Sequence, residues 1–200
     1  MLYWLDLFGV FVFALSGALA ADRRGMDLFG FVFIALLPAV GGGTVRDIVI
    51  DVPVFWVEDP IYLWIILAAA ILTFLAAPMI HRAGRMLVWA DAVGLAVFSA
   101  AGTAKTYLAT ANTSVSIAMG VVTAVFGGIV RDVVCNEIPL VLRQDIYATA
   151  AFAGSVSYIL LLWADLPQSI ALWAALAVCF AVRASALIWG WSLPKRGSLE

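Results

Sequence analysis

Apolar residues run along this chain in long stretches, parted by short clusters of charge, glycine and proline. Seven stretches reach the length that crosses a bilayer, roughly 3–21, 28–50, 61–80, 87–108, 115–135, 146–164 and 168–190. Apolar positions do not alternate with polar ones, as the strands of a membrane barrel require. The pattern predicts an all-α polytopic membrane protein of seven transmembrane helices. The connections are short, which suits one membrane domain and leaves no room for a soluble one.

Two spans depart from a plain apolar helix, and they do so in the same way. "AVGGGTVRDIV" at 39–49 returns as "AVFGGIVRDVV" at 124–134. A shift of 85 positions aligns the two without a gap. The same shift brings Trp4 onto Trp89, Asp6 onto Asp91, Gly17 onto Gly102 and Ile61-Tyr62 onto Ile146-Tyr147. The chain therefore reads as repeat one over 1–80, repeat two over 86–164 and a seventh span over 168–190. Each repeat holds an odd number of spans, so the second copy is inverted in the membrane. Inverted repeats are a recurring plan of transport proteins, with the pathway at the repeat interface and broken helices near the midplane.

The glycines fit that plan. Each lowers helix stability by about 1 kcal/mol relative to alanine, and Pro38 removes one more backbone hydrogen bond. Gly41, Gly42 and Gly43 in span two, and Gly127 and Gly128 in span five, predict a kink or break close to the bilayer centre. A break frees carbonyls that suit a small cation and N–H groups that suit a carboxylate. Close helix packing through small residues is the alternative use of these glycines.

The charges inside the spans are functional candidates. Arg46 and Asp47, like Arg131 and Asp132, are neighbours that point about 100° apart on a helix. Each arginine is expected to pair with an acid of the opposite repeat, from Asp6, Asp91, Asp47 and Asp132. On that basis Asp132→Asn lowers cation conductance and Arg131→Gln leaves it intact or raises it, provided the fold survives. Lys105 either snorkels to the outer interface or stands in the pathway as a gate. Ser16, Ser99, Thr103 and Thr123 are candidate hydroxyls of the same path.

Composition sharpens the class without changing it. The 200 residues are 65% hydrophobic and 12% charged, with mean hydropathy +1.08. The first apolar run lacks a basic leader, so no cleavable signal peptide is expected. Arg23, Arg24, His81, Arg82, Arg85, Arg143, Lys195 and Arg196 lie on one set of alternate loops and the tail. Asp51, Glu58, Asp59 and Asp165 lie on the other. The arginine bias places the N-terminus outside and the C-terminus in the cytoplasm. Cys135 and Cys179 lack metal-ligand spacing, and no catalytic triad or phosphate loop is present. An enzyme, a cofactor, a resident metal and a nucleic-acid partner are not expected. The residues by themselves lead to a transport protein, with a non-transporting membrane scaffold as the rival from another class.

The motifs "GGGTVRD" and "GGIVRDVVCNEIP", with "SGALAADRRGMDLFG" before the first, resemble a bacterial membrane family known for its glycine transporter domains. That family is related to the trimeric intracellular cation (TRIC) channels. The resemblance runs to about Arg196. It implies a homotrimer in the bacterial inner membrane, in contact with its lipids, each protomer with its own pore for potassium and other monovalent cations. Spans two and five, kinked at Gly41, Gly42, Gly43, Gly127 and Gly128, would line that pore. The second kink would be the stiffer, because Phe126 replaces a glycine. A transporter of glycine or another small solute, with the substrate carboxylate on Arg46 or Arg131, is the competing implication.

Overall fold

The computed structural model describes residues 1–79, 83–143 and 146–192. Among them nine α-helices form: α1 Leu2–Arg23, α2 Leu28–Val49, α3 Phe55–Glu58, α4 Ile61–Ala76, α5 Ala83–Thr110, α6 Thr113–Val134, α7 Leu140–Arg143, α8 Ala148–Trp163 and α9 Gln168–Trp189. A 3-10 turn, Ala77–Met79, prolongs α4. His81, Arg82, Lys195 and Arg196, on which the charge bias partly rests, lie outside the described residues.

Local sequence sets the ends of the two motif helices in parallel. Asp27 caps α2 by accepting the Gly30 N–H at 2.8 Å, and Asn112 caps α6 by accepting the Val115 N–H at 3.1 Å. At the other end Asp51 and Asn136 take left-handed φ of 54° and 52°. Asp and Asn tolerate that region better than most residues. The chain then folds back: Val52 N–H reaches the Asp47 carbonyl at 3.0 Å and Glu137 N–H the Asp132 carbonyl at 2.8 Å. This is the closing bond of a Schellman turn. The aspartate of each R-D pair thus anchors its helix terminus. The short helices α3 and α7, which the hydropathy pattern does not predict, follow these turns.

Among the described residues six helices are long and apolar enough to cross a membrane: α1, α2, α4 with its 3-10 turn, α5, α6 and α9. The protein is an all-helical, multi-pass membrane protein. Seven spans were expected, and α8 is the difference. Its 16 residues extend about 24 Å, short of a hydrocarbon core of about 30 Å. The helix starts late because Tyr147, at φ −121° and ψ −71°, is still outside it. Outward-facing Trp4, Phe29 and Leu75 give the bundle the apolar surface that lipid chains require.

α1 and α5 are the most deeply buried helices, and they lie against each other. α2 and α4 pack on α1, α6 and α8 on α5, and α9 against α5 and α8. The crossings are reciprocal. A Cβ on Gly42 would lie 2.8 Å from the Thr123 carbonyl carbon, and one on Gly127 would lie 2.8 Å from Pro38 Cα. A Cβ on Gly9 would meet the Phe98 ring at 3.1 Å, and one on Gly94 the Phe13 ring at 2.8 Å. Phe13 and Phe98 stack at 5.2 Å. The four contacts form two pairs, and the offset of 85 carries each contact onto the other of its pair. Partner numbers fall as the residue's own number rises, so the paired helices run antiparallel.

The break expected at the glycines is absent. α2 and α6 are each one continuous helix of 22 residues, α2 with Pro38 inside it. The glycines are used for contact. With no Cβ they let α2 and α6 touch backbone to backbone, which repays their low helix propensity through close approach.

Candidate functional site

Two charge sites lie near the C-terminal ends of α2 and α6. In the first, Arg46 Nε donates to Asp47 Oδ1 at 2.8 Å. Phe55 N–H donates to Asp47 Oδ2 at 3.1 Å. Lys105 Nζ, from late in α5, lies 3.1 Å from both oxygens of the same carboxylate. The Phe55 ring spreads beneath both cations, 5.9 Å from the Arg46 guanidinium and 5.8 Å from Lys105 Nζ. Gly43 makes room for that ring, since a Cβ there would come within 2.6 Å of it. Beside it, Trp56 Nε1 donates to Thr44 Oγ1 at 2.9 Å.

The second site repeats the first and then extends it. Arg131 Nε donates to Asp132 Oδ1 at 2.8 Å, and Leu140 N–H donates to Asp132 Oδ2 at 2.8 Å. Arg131 Nη1 then reaches Asp91 Oδ1 at 2.8 Å and donates to Ser16 Oγ. Arg131 and Asp91 are wholly buried. Tyr147 and Gly128 wall this site; a Cβ on Gly128 would lie 3.2 Å from the Tyr147 hydroxyl and 3.5 Å from Asp91 Oδ1. Arg183 of α9 closes it, donating to the Ile146 carbonyl at 3.0 Å with its guanidinium 4.9 Å from the Tyr147 ring.

These contacts correct the expected pairing. Arg46 and Arg131 find acids in their own halves of the chain, not in the opposite half. The three-carbon stem of arginine spans the angle between adjacent helical positions, so sequence neighbours can bond side by side. Lys105 does not simply snorkel: it crosses between the halves to Asp47. A second cross-half tie joins Arg23 and Arg24 to Glu137 at 3.4 and 3.1 Å. Arg143 reaches Glu137 at 3.2 Å. Asp6, the counterpart of Asp91, has no ion pair among the described residues, and its Oδ1 is buried without a hydrogen bond.

The candidate hydroxyls scatter. Ser16 belongs to the Arg131 site. Ser99, Thr103 and Thr123 donate to carbonyls of their own helices, at Ala96, Ser99 and Met119. Pro38, Gly41, Gly42 and Gly127 form the α2–α6 crossing between the two charge sites, while Gly43 and Gly128 belong to the sites themselves. Sequence reasoning passed over Arg183. Its signal was a lone cation in "CFAVRASA", inside the last apolar run, which by itself marks a candidate. Among the described residues no group of His, Cys, Asp and Glu could hold a metal.

Known proteins share this architecture. The family model described as Glycine transporter matches the chain twice, over residues 3–78 and 88–163, with the same offset of 85 that relates the two motifs. The UPF0126 inner membrane protein YadS of Escherichia coli K12 is 41% identical over 197 residues, 97% of this chain and 95% of its own. A UPF0126 membrane protein of Vibrio cholerae is 41% identical over 199 residues, 97% of this chain and 82% of its own. Among solved structures, the TRIC trimeric intracellular cation channel orthologue from Rhodobacter sphaeroides aligns with a TM-score of 0.92 at 43% identity, over 95% of this chain and 98% of that one. Another TRIC cation channel aligns with a TM-score of 0.86 at 31% identity, over 96% and 95%.

Proposed function

The chain belongs to the glycine transporter family of membrane proteins, and from that premise we propose that it is a cation channel. It is permeable to potassium and other monovalent cations, and each protomer of a homotrimer carries its own pathway. The observation that supports this best is the pair of equivalent charge sites on one antiparallel helix pair, in a chain whose full-length likeness is to TRIC cation channels. An unpaired arginine in a narrow pathway would repel a cation by roughly 4 kcal/mol at 4 Å with an effective dielectric of 20. Here Arg46 and Arg131 are each held on a carboxylate, which removes most of that barrier.

The pathway runs beside α2 and α6, with a charge site toward each end and the glycine crossing between them. Residues 1–80 and 86–164 are its two inverted halves. Residues 168–190 form a seventh span, and α8 crosses as a short one. The protein sits in the bacterial inner membrane with its N-terminus outside and its C-terminus in the cytoplasm. Cysteines placed at Arg24 and Glu58 should therefore label from opposite faces of intact cells. Labelling of both from one face would refute this span count.

The channel itself is tested by recording purified protein in planar bilayers under a potassium chloride gradient. Discrete current steps are expected, with a reversal potential that follows potassium. A second reading, a carrier of glycine or another small zwitterion, draws on the family model's description and on Arg46 Nη1, a buried donor without a partner. Saturable uptake of labelled glycine into proteoliposomes, with no potassium current, would replace the channel by the carrier.

A further inference from the structure

The two charge sites are built from equivalent residues, yet they are in different states. At one, Asp91 Oδ1 and Arg131 Nη1 bond directly at 2.8 Å. At the other, the equivalent atoms, Asp6 Oδ1 and Arg46 Nη1, are both buried and have no hydrogen-bond partner among the described residues; at the first, Asp91 Oδ2 and the Tyr147 hydroxyl are the buried atoms left over. The cause lies in the residues the repeat does not share. Ser16 adds a hydroxyl to Arg131, whereas the position equivalent to Ser16 is Ala101. Lys105 adds a second cation to Asp47, whereas the position equivalent to Lys105 is Ala20. Arg183 of α9, outside the repeat, closes the Arg131 site over Tyr147.

Burial differs as well. The two arginine–aspartate pairs are similarly buried, at 1% and 0% exposed for Arg46 and Asp47 and 0% and 10% for Arg131 and Asp132. Asp6, however, is half-buried where Asp91 is fully buried, and the Arg46 site reaches the surface through Lys105, whose side chain is 32% exposed. The surrounding surface has opposite sign at the two ends. Near the Arg46 site are Asp51 and Glu58, both exposed, and Asp59, which accepts the Tyr3 hydroxyl at 2.8 Å. Near the Arg131 site three arginines converge on the single carboxylate of Glu137.

A buried donor and a buried acceptor that do not meet are satisfied by water. An acidic rim raises the local concentration of cations. We propose that the Asp6–Arg46 end is the hydrated mouth of the pathway, with Asp6 the carboxylate that a monovalent cation meets there, and that the Asp91–Arg131 end, closed by the direct bond between the two, is its constriction. This rests on the channel reading. Asp6 balances the site, since Arg46 and Lys105 face only Asp47 without it. Asp91 differs from Asp6 in being fully buried and in having its Oδ1 held by Arg131.

The test uses full-length protein in planar bilayers, at about 10 mM and about 1 M potassium chloride, where the Debye length is about 30 Å and about 3 Å. Asp6→Asn should reduce current carried by potassium arriving from the Asp6 side by about threefold or more at low salt. Current from the other side should change little, so the variant rectifies. The rectification should vanish at high salt, and Asp6→Glu should restore symmetric current. A merely structural role for Asp6 would lower both directions alike and would not respond to salt. Symmetric currents in Asp6→Asn at low salt overturn the assignment.

Thiol labelling decides the same point without any current. With Cys135 and Cys179 replaced by alanine, Asp6→Cys should react with a water-soluble methanethiosulfonate from one face, and Ser16→Cys should not react. An inert Asp6→Cys, or a reactive Ser16→Cys, overturns the assignment. Wild-type protein that passes no potassium overturns the channel reading instead, and the labelling result stands apart from it.

Discussion

Gly42→Ala is expected to lower the melting temperature of the purified protein by up to about 8 °C, and Gly41→Ala, one residue earlier, to leave it unchanged or slightly raised. At Gly42 the new methyl would stand 2.8 Å from the Thr123 carbonyl carbon, against backbone that cannot rotate away. Relief requires α2 and α6 to separate. Overpacking of this kind costs about 1–3 kcal/mol or more, which outweighs the gain of about 1 kcal/mol in helix propensity. At about 2–4 °C per kcal/mol for a chain of this size, the shift follows. A methyl on Gly41 would meet only Gly127 Cα, at 3.4 Å, an ordinary contact. Gly127→Ala, against Pro38, should fall close to Gly42→Ala. Thermal unfolding in detergent, followed by tryptophan fluorescence, gives the ranking. If the three variants melt alike, the glycines work through backbone flexibility rather than through contact.

Arg131→Gln should be the more damaging change. It leaves the carboxylates of Asp91 and Asp132 in a buried site with their shared guanidinium gone. Removing one partner of a buried ion pair typically costs about 3–5 kcal/mol, because the remaining charge has no solvation. Arg46→Gln should cost clearly less, since Lys105 still stands 3.1 Å from Asp47. The two substitutions are chemically identical and lie at equivalent positions, so their difference isolates what surrounds them. Folded yield and melting temperature of both variants provide the comparison, with Arg131→Gln/Asp91→Asn expected to recover part of the loss. Equal losses would mean that Lys105 does not neutralise Asp47. The earlier expectation of intact conductance in Arg131→Gln assumed a fold that survives, and this site makes that assumption unsafe.

The helices were legible in the sequence because hydropathy reports burial in lipid directly. The offset of 85 was legible because both copies keep Gly-Gly and Arg-Asp at one spacing, and the same residues mark the crossing and the charge sites. Partner choice was not legible. Helical angles alone set Arg46 and Asp47 apart, yet the Asp47 carboxylate is fixed by the Phe55 N–H of the following turn, where the arginine can fold onto it. That turn depends on Asp51 taking a left-handed φ, a detail that hydropathy does not carry. Likewise, glycines inside a membrane helix read equally as hinges or as contact points. Only the position of the neighbouring backbone distinguishes the two.

The reciprocal crossing of α2 and α6 also bears on ancestry. Gly42 receives the backbone at Thr123, and Gly127 receives the backbone at Pro38, so each half of the contact is the other's complement. A chain of one half alone, inserted in both orientations, would carry both sides of this surface and would associate through it without a second gene. Fusion of two such copies fixes their stoichiometry and releases each from serving both roles. Lys105 and Ser16, which the repeat does not reproduce, are the kind of divergence that only a fused pair can keep.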